Sequence, residues 1–428
     1  MRSIYWFRTD LRLTDNNVFK TAAESNRLLP VFILNPAEWE RIGTRRRRFI
    51  RETIKDLSND IKAKGGVLYL FKGDPAALLP QIARLYVCDS LWAERLFCIE
   101  EVTQEKKLSE SDAFEVTHFI WDRLLYSAYE MPFELTAIYK QFTPYRKTVE
   151  KRCKVAPCTE APRQVDWIND ENFDLTHYGI EPLNIDDDNA WMLSSEENDE
   201  RSDFMYEGGT DAALQRLRYY LWEVHAASTY KETRNAMEGA DYSTRMSAWL
   251  SVGALSPRTI YHELKAYEDQ FGANESTYWI VFEMMWRDYF SLVALQQGNR
   301  FFAKNGYRTT TPIWLDDPDK INAWRHGKTD DELINALMHQ LNATGYMGNR
   351  GRQIVASYLT KNMKQDWRHG AAWFEKQLID YDPASNWGNW AYQAGVGNDP
   401  MIGRTFNTRI QTEKFDPEHL FINKWRKA

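Results

Sequence analysis

Residues 1–16 read MRSIYWFRTDLRLTDN, and their order decides how the first third of the chain folds. RSIYWFR is a short apolar run of strand-forming residues, the pattern of a strand buried on both faces. Arginines sit inside it and no apolar leader core follows, so a signal peptide is not expected. TDLRLTDN has no GxGxxG turn to cradle a dinucleotide pyrophosphate. The strand signal recurs in LLPVFIL (28–34), GVLYLF (66–71), DSLWAE (89–94) and FEVTHF (114–119). Helical stretches near 15–24, 44–64, 75–85 and 100–110 separate these runs. Strands alternating with helices predict a doubly wound parallel sheet, covered on both faces, over residues 1–125.

Residues 126–208 read instead as a connector lying on the surface. Pro132, Pro144, Pro157, Pro162 and Pro182 punctuate it, and residues 165–203 hold 13 acidic side chains against one basic. That acidic run is expected to be a solvated face. From 209 to 428 the periodicity turns helical. TDAALQRLRYYLWEVHA (210–226), SPRTIYHELKAYEDQF (256–271), STYWIVFEMMWRDYFSLVAL (276–295), TDDELINALMHQL (329–341) and NRGRQIVASYLTKNM (349–363) space apolar residues three or four apart. Thr210, Ser256 before Pro257, Ser276, and Thr329 with Glu332 stand as helix N-caps. The predicted fold class is an α/β domain followed by an all-α domain.

Composition narrows the chemistry. Four cysteines form no CxxC pair and no zinc-ligand spacing, so no metal is expected and a reducing, cytoplasmic setting is. No apolar run approaches membrane-spanning length. Net charge is −7, yet residues 226–428 hold 24 basic against 23 acidic side chains, which leaves room for a local basic patch. P-loop, HExxH and GxSxG motifs are absent, and His339 and His369 fall at helical positions where solvation is expected. What stands out is tryptophan: 17 in all, ten of them after residue 225.

Four stretches carry candidate chemistry. YSTRMSAWLSVGALSPR (242–258) gathers Ser243, Thr244 and Ser247 with backbone N–H groups where an apolar helix begins, a setting that suits a diphosphate. FEMMWRDYF (282–290) sets Glu283, Trp286, Arg287 and Asp288 in an apolar helix; Glu283 and Arg287 either pair at i,i+4 or serve a partner. TGYMGNRGRQ (344–353) places Asn349, Arg350 and Arg352 just before a helix, and Asp380 and Asp382 in LIDYDPASN (378–386) can pair with the arginines. SNWGNWAYQAGVGND (385–399) surrounds Trp387 and Trp390 with Gly388, Gly395 and Gly397, as if backbone had to approach a ring closely. An aromatic, helical, phosphate-binding site suits a large planar cofactor.

These motifs, in this order, resemble the photolyase/cryptochrome flavoprotein family, closely from Tyr230 to Trp425. WFRTDLRLTDN is similar to the family's opening strand, and YKETRN, STYWIVFEMMWRDYF and FNTRIQTEKFDP to its flavin half. NRGRQ, SNWGNWAY and AGVGNDP together resemble the DASH-type cryptochromes. The resemblance implies an antenna domain and a helical domain holding a U-shaped FAD. Tyr230, Ser243, Thr244, Arg245, Met246 and Ser247 match the residues at its phosphates and ribityl chain. Asp380 and Asp382 match the carboxylates near the isoalloxazine, with Arg352 as partner of the first; Asn386 matches the residue facing N5, and Glu283 and Arg287 join the cofactor contacts. Glu283, Trp286, Asn349, Arg350 and Gln411 match the mouth that receives a flipped pyrimidine dimer. Trp390, Trp367 and Trp314 match the electron-transfer chain, on three different helices.

The activity so implied is splitting of cyclobutane pyrimidine dimers by an electron from reduced, blue-light-excited FAD, in single-stranded DNA by preference, by a monomer. The alternative is a blue-light photoreceptor without repair. A methenyltetrahydrofolate antenna is usual in the family, but the residues near 103–105 match it poorly. Asp330, Asp331 and Glu332 depart from the family's Gly–x–Pro, Asn335 replaces an aspartate, and Tyr392 stands where classical repair enzymes carry tryptophan.

Overall fold

A computed structural model of the chain describes residues 1–169, 175–194, 199–308, 312–400, 403 and 405–427. Strands β1 (Arg2–Phe7), β2 (Arg27–Leu34), β3 (Tyr69–Lys72), β4 (Ser90–Glu94) and β5 (Val116–Ile120) form in the predicted runs. They lie in the order β5-β4-β1-β2-β3, all parallel. Helices Asn17–Ser25, Thr44–Ala63, Pro75–Tyr86 and Ile99–Ser109 connect them. Side chains alternate across β1: Ile4 and Trp6 pack in one apolar cluster with Val31 and Ile82. Tyr5 and Phe7 face the other way, into a cluster that runs on through Trp249, Met285 and Tyr289 of the helical layer.

Buried polar contacts join the two layers. Arg258 pairs with Asp15 at 3.1 Å and Asp122 at 2.8 Å, all three side chains under 10% exposed. Arg12 donates to the Gly253 carbonyl at 2.8 Å, and Arg46 to that of Ile379 at 2.6 Å. Asp288 is neither solvated nor a helix-surface charge; its carboxyl accepts the Leu125 and Tyr126 amides. Burial pushes that carboxyl up to about 7.

Several local expectations need correction. The connector is less irregular than its prolines suggest. It forms helix Phe142–Arg152 and adds two short strands to the sheet, Asp166–Trp167 (β6) beside β2 and Glu181–Pro182 (β7) antiparallel to β3. Of its acidic side chains, Asp170, Glu171, Asp174, Glu196 and Glu197 lie outside the described residues. The acidic run is solvated as expected, and part of it is also paired: Asp186 with Lys55 at 2.8 Å and Asp188 with Arg51, both carboxylates 70% exposed, and Asp203 with Lys424 at 2.7 Å.

Ser256 caps its helix as expected, but Gly209, Asn274 and Asp331 hold the cap positions assigned to Thr210, Ser276 and Thr329. The Ser276 hydroxyl is engaged by Glu232 at 2.7 Å and that of Thr329 by Asn335 at 2.8 Å, while Asn274 and Asp331 accept the free helix amides. Asn335 instead ties Thr329 down through its side chain. His339 is buried, its Nδ1 2.8 Å from the Trp425 carbonyl, so the expected solvated position is wrong there. Among the described residues no helix is long and apolar enough to cross a membrane.

Candidate functional site

The helical layer encloses a cavity of about 290 Å³. Tyr230, Ser243, Thr244, Arg245, Met246, Ser247, Glu283, Arg287, Arg352, Asp380, Asp382 and Asn386 all line it, as does Trp390. These residues come from five separate segments, so only the fold brings them together. The Asp380 carboxylate is the hub of one wall. It accepts from Arg352 Nη2 at 2.8 and 3.0 Å and from Ser247 Oγ at 2.6 Å. Arg352 is itself braced by the Met347 carbonyl at 2.7 Å.

Asp382 does two jobs. It caps helix Pro383–Ala394 by accepting the Ser385 amide at 2.8 Å, and it pairs with Arg123 of the sheet layer. Burial pushes its carboxyl up, but Arg123, Arg287 and the Ser385 amide more than offset this and hold it below the usual carboxylate range. Sequence reasoning missed Arg123, a contact across 259 residues with no local signal. Asn386 sits one turn into the same helix, its carboxamide NH₂ held by the Ala371 carbonyl at 3.0 Å.

Glu283 does not pair with Arg287. Its partner is Arg234, from the YKETRN segment. Burial pushes the Glu283 carboxyl up, and Arg234 opposes the shift. Arg287 turns the other way and donates to the Arg123 carbonyl at 2.8 Å. Burial lowers the Arg287 guanidinium to about 10.

A second, open hollow of about 600 Å³ adjoins the cavity. Arg234, Glu283, Arg287 and Asn349 border both spaces. Trp279, Phe282, Trp286, Arg350, Tyr392 and Phe406 complete its wall. Trp286 is stacked on Phe142 with centroids 3.8 Å apart and meets Tyr392 edge-on at 5.7 Å. Asn349 and Arg350 lie in the first turn of helix Asn349–Ser357 rather than before it. Gln411 does not line the hollow; it sits on helix Thr408–Phe415, and Gln393 takes a place on the wall.

The three tryptophans assigned to one chain are arranged differently from the expectation. Trp314 lies in no helix. Trp367 and Trp314 donate to the same acceptor, the Lys304 carbonyl, at 3.0 and 3.2 Å, which holds them side by side. Trp390 packs on Gly370, one turn beyond Trp367 on the same helix, where a β-carbon would overlap its ring. Its ring neighbours are Phe374 at 5.1 Å and Trp324 at 5.9 Å. The glycines have reasons within the protein itself. Gly388 makes room for Phe290, Gly397 lies against Ala391 and Tyr307, and Gly395 ends its helix at φ +79°.

A third space of about 530 Å³ lies between the layers, walled by Trp6, Trp39 and Trp387. It shares Ser251, Tyr381 and Asp382 with the first cavity. Of residues 103–105, Gln104 lines it and Thr103 its shallow mouth. Glu105 is taken up by Arg8 and the Leu96 amide.

The first cavity fits FAD on its own terms. Nε of Arg234, Arg245 and Arg287 and Nδ2 of Asn349 are buried at its wall without a partner among the described residues. Unpaired buried donors are costly, and an oxygen-rich dinucleotide supplies the missing acceptors.

Comparison with known proteins agrees. The profile of the FAD binding domain of DNA photolyase matches residues 279–427, and that of DNA photolyase matches residues 3–164. The chain is 37% identical to a chloroplastic/mitochondrial DASH cryptochrome of Solanum lycopersicum over 99% of its own length and 76% of that protein's. It superposes on the crystal structure of a Synechocystis cryptochrome with TM-score 0.93 at 35% identity, covering 99% of this chain and 88% of that one. An archaeal photolyase from Sulfolobus tokodaii, solved with two FAD molecules, gives TM-score 0.80 at 26% identity over 99% and 90%. A cavity whose buried, unpartnered donors suit FAD, with an adjoining aromatic hollow, read with these matches, places the chain in the photolyase/cryptochrome family of FAD-binding flavoproteins, among relatives of the DASH type.

Proposed function

We propose that this protein is a light-dependent lyase that splits cyclobutane pyrimidine dimers, taking them flipped out of single-stranded DNA. Bound FAD supplies the photochemistry, an electron from its reduced and excited form. The chain's own residues do the rest. Ser243, Thr244, Arg245, Met246 and Ser247 line the cavity beside Tyr230, where hydroxyls and an unpaired guanidinium nitrogen suit the cofactor's phosphates and ribityl chain. Asp380, fixed by Arg352 and Ser247, and Asp382, fixed by Arg123, offer two oriented carboxylates that would accept from the flavin ring's N–H or the ribityl hydroxyl groups. Asn386 presents its carboxamide from a rigid helix turn. Trp390, Trp367 and Trp314 are assigned to relay electrons inward from the surface.

One observation carries the substrate reading: the hollow adjoins the cavity and shares Glu283 and Asn349 with it. Its aromatic walls, Trp286 and Tyr392, suit stacked bases, and Arg350 suits a phosphate. A flipped base costs least to extrude where no complementary strand holds it. Glu283, its carboxyl positioned by Arg234, would hydrogen-bond the dimer's carbonyl groups if protonated, or steady a nearby donor if ionised, as negative charge develops there. The interlayer space suits a planar second chromophore such as methenyltetrahydrofolate. In this reading residues 1–125 form the antenna domain, 126–208 the connector and 209–428 the FAD domain, and the protein acts as a cytoplasmic monomer.

The test is light-dependent repair of a dimer-containing oligonucleotide, single- and double-stranded side by side, by FAD-loaded protein. Repair of the single strand in light and none in darkness is the expected result. Photoreduction of the flavin without repair of either substrate would replace this reading with the photoreceptor one.

A further inference from the structure

We propose that helix Phe142–Arg152 and its flanks form a second nucleic-acid contact, a lysine track that carries the single-stranded phosphate backbone away from the hollow. The inference rests on the DNA reading above and extends it to residues outside the hollow. The segment's charge is the first observation. Lys140, Arg146, Lys147, Lys151, Arg152 and Lys154 face a single acid in 140–154, Glu150, in a chain of net charge −7. Glu150 is taken: it pairs with Arg146 at 2.8 Å and accepts the Tyr278 hydroxyl at 2.6 Å. Lys140, Lys147, Lys151, Arg152 and Lys154 are exposed and have no acidic partner among the described residues.

The arrangement of these charges is the second observation. Phe142, Tyr145 and Val149 are buried against the long Glu275–Gln297 helix. At 100° per residue, Lys147 and Lys151 point the opposite way, and exposed Lys140 and Lys154 flank the helix at either end. Asp166, Glu181, Asp186, Asp188 and Asp203 of the connector each have a basic partner, but these lysines have no acidic one among the described residues. Rows of like charge self-repel and are retained at no folding advantage, whereas a polyanion neutralises them all.

Position is the third. Phe142, at the start of this helix, stacks on Trp286 and meets Phe282 edge-on at 5.2 Å, and both are walls of the hollow. The Arg146 guanidinium lies 5.7 Å over the Phe282 ring. The Lys140 carbonyl accepts from Asn398 at 2.7 Å, and Tyr289 donates to the Tyr139 carbonyl at 3.0 Å. The track therefore begins at the rim of the hollow and is held there by the same helix that carries Glu283. Lysine ammonium groups on flexible stems suit a backbone followed by charge and not by base.

The experiment compares wild type with the triple variant Lys147→Gln, Lys151→Gln, Lys154→Gln, using fluorescent oligothymidylates of about 5 and about 20 nucleotides across a salt series. Wild type should bind the long strand more tightly and with the steeper salt dependence. The variant should lose that advantage, with its slope of log affinity against log salt shallower by about 2, near 0.7 for each single-strand phosphate that a removed ammonium group had neutralised. Short-strand binding should stay unchanged, and the triple Lys→Arg variant should restore the slope. A Gln variant that keeps the wild-type slope and length dependence overturns the track and leaves the hollow's reading intact. Wild-type protein that binds neither strand overturns both.

Discussion

Replacing Arg123 by methionine tests how the cofactor cavity is held. The guanidinium and the Asp382 carboxylate are 7% and 10% exposed, so little water can replace either partner. Removing one member of a buried pair strands the other, at about 3–5 kcal/mol. Arg287 lies close enough to favour the Asp382 charge, which places the cost toward the lower end. The consequence has a pH signature whose sign can be worked out. In the wild type the Asp382 carboxyl is held below its usual range, so its contribution is present above the unfolded value and is lost as pH falls. In Arg123→Met burial acts with less opposition and raises the carboxyl, so the destabilisation is greatest at neutral pH and relaxes as acid protonates Asp382.

The assay is flavin release during urea denaturation at pH 5 and pH 8, read by the rise in free-FAD fluorescence. The penalty of the single variant should be smaller at pH 5. Arg123→Met combined with Asp382→Asn should recover at least about 1–2 kcal/mol of the summed single costs, as coupled partners do. A penalty that is equal at both pH values, or strictly additive in the double variant, would refute the argument.

Glu283→Gln should keep flavin occupancy and melting temperature near wild type while repair yield per absorbed photon falls, and Glu283→Ala should lower the yield further; unchanged yield in a folded, loaded Ala variant excludes the residue from the chemistry. Trp390→Phe should abolish or greatly slow photoreduction of bound flavin without releasing it, with Trp367→Phe and Trp314→Phe also impaired; normal photoreduction in all three would discard the assigned relay. Gly370→Ala drives a methyl into the Trp390 ring and should cost about 1–3 kcal/mol with an altered near-ultraviolet circular dichroism spectrum. Glu94 is raised to about 8 by burial and then by Asp10, with one carboxyl oxygen unpartnered. Its contribution is therefore fully present below the unfolded value and lost as pH rises through about 8. Glu94→Gln should flatten that fall, about 1.4 kcal/mol per pH unit at its steepest, when urea midpoints are compared at pH 6 and 9.

The strands and connecting helices of the sheet are legible because each is a short apolar run that no other element could bury, so period and length suffice. Ser243, Ser247, Asp380 and Asn386 are legible as a set through family resemblance, and the cavity collects all of them. What stays hidden is long-range. The i,i+4 rule sees only one helix, and so it pairs Glu283 with Arg287; the true partner, Arg234, approaches from a segment 49 residues earlier. Arg123 and Asp382 meet because two layers pack, which no window of sequence contains. Helix Phe142–Arg152 hides behind Pro144, which reads as a breaker but sits in the first turn, where its missing N–H costs nothing. The glycines near Trp390 suggest ligand approach, whereas the Phe290 ring explains Gly388, a left-handed helix end explains Gly395, and close backbone and the Tyr307 hydroxyl explain Gly397.

Arg258 has a consequence for how the molecule comes apart. It reaches from the helical layer between two carboxylates of the sheet layer, and none of the three is solvated. Neither layer can detach without exposing the shared apolar cluster and abandoning a charge in a dry seam. The two layers are thus bound into one cooperative unit. Native-state hydrogen exchange should find the amides around Asp15, Asp122 and Arg258 opening together, in the last and largest of the protein's unfolding events, while the connector's exposed turns exchange far earlier.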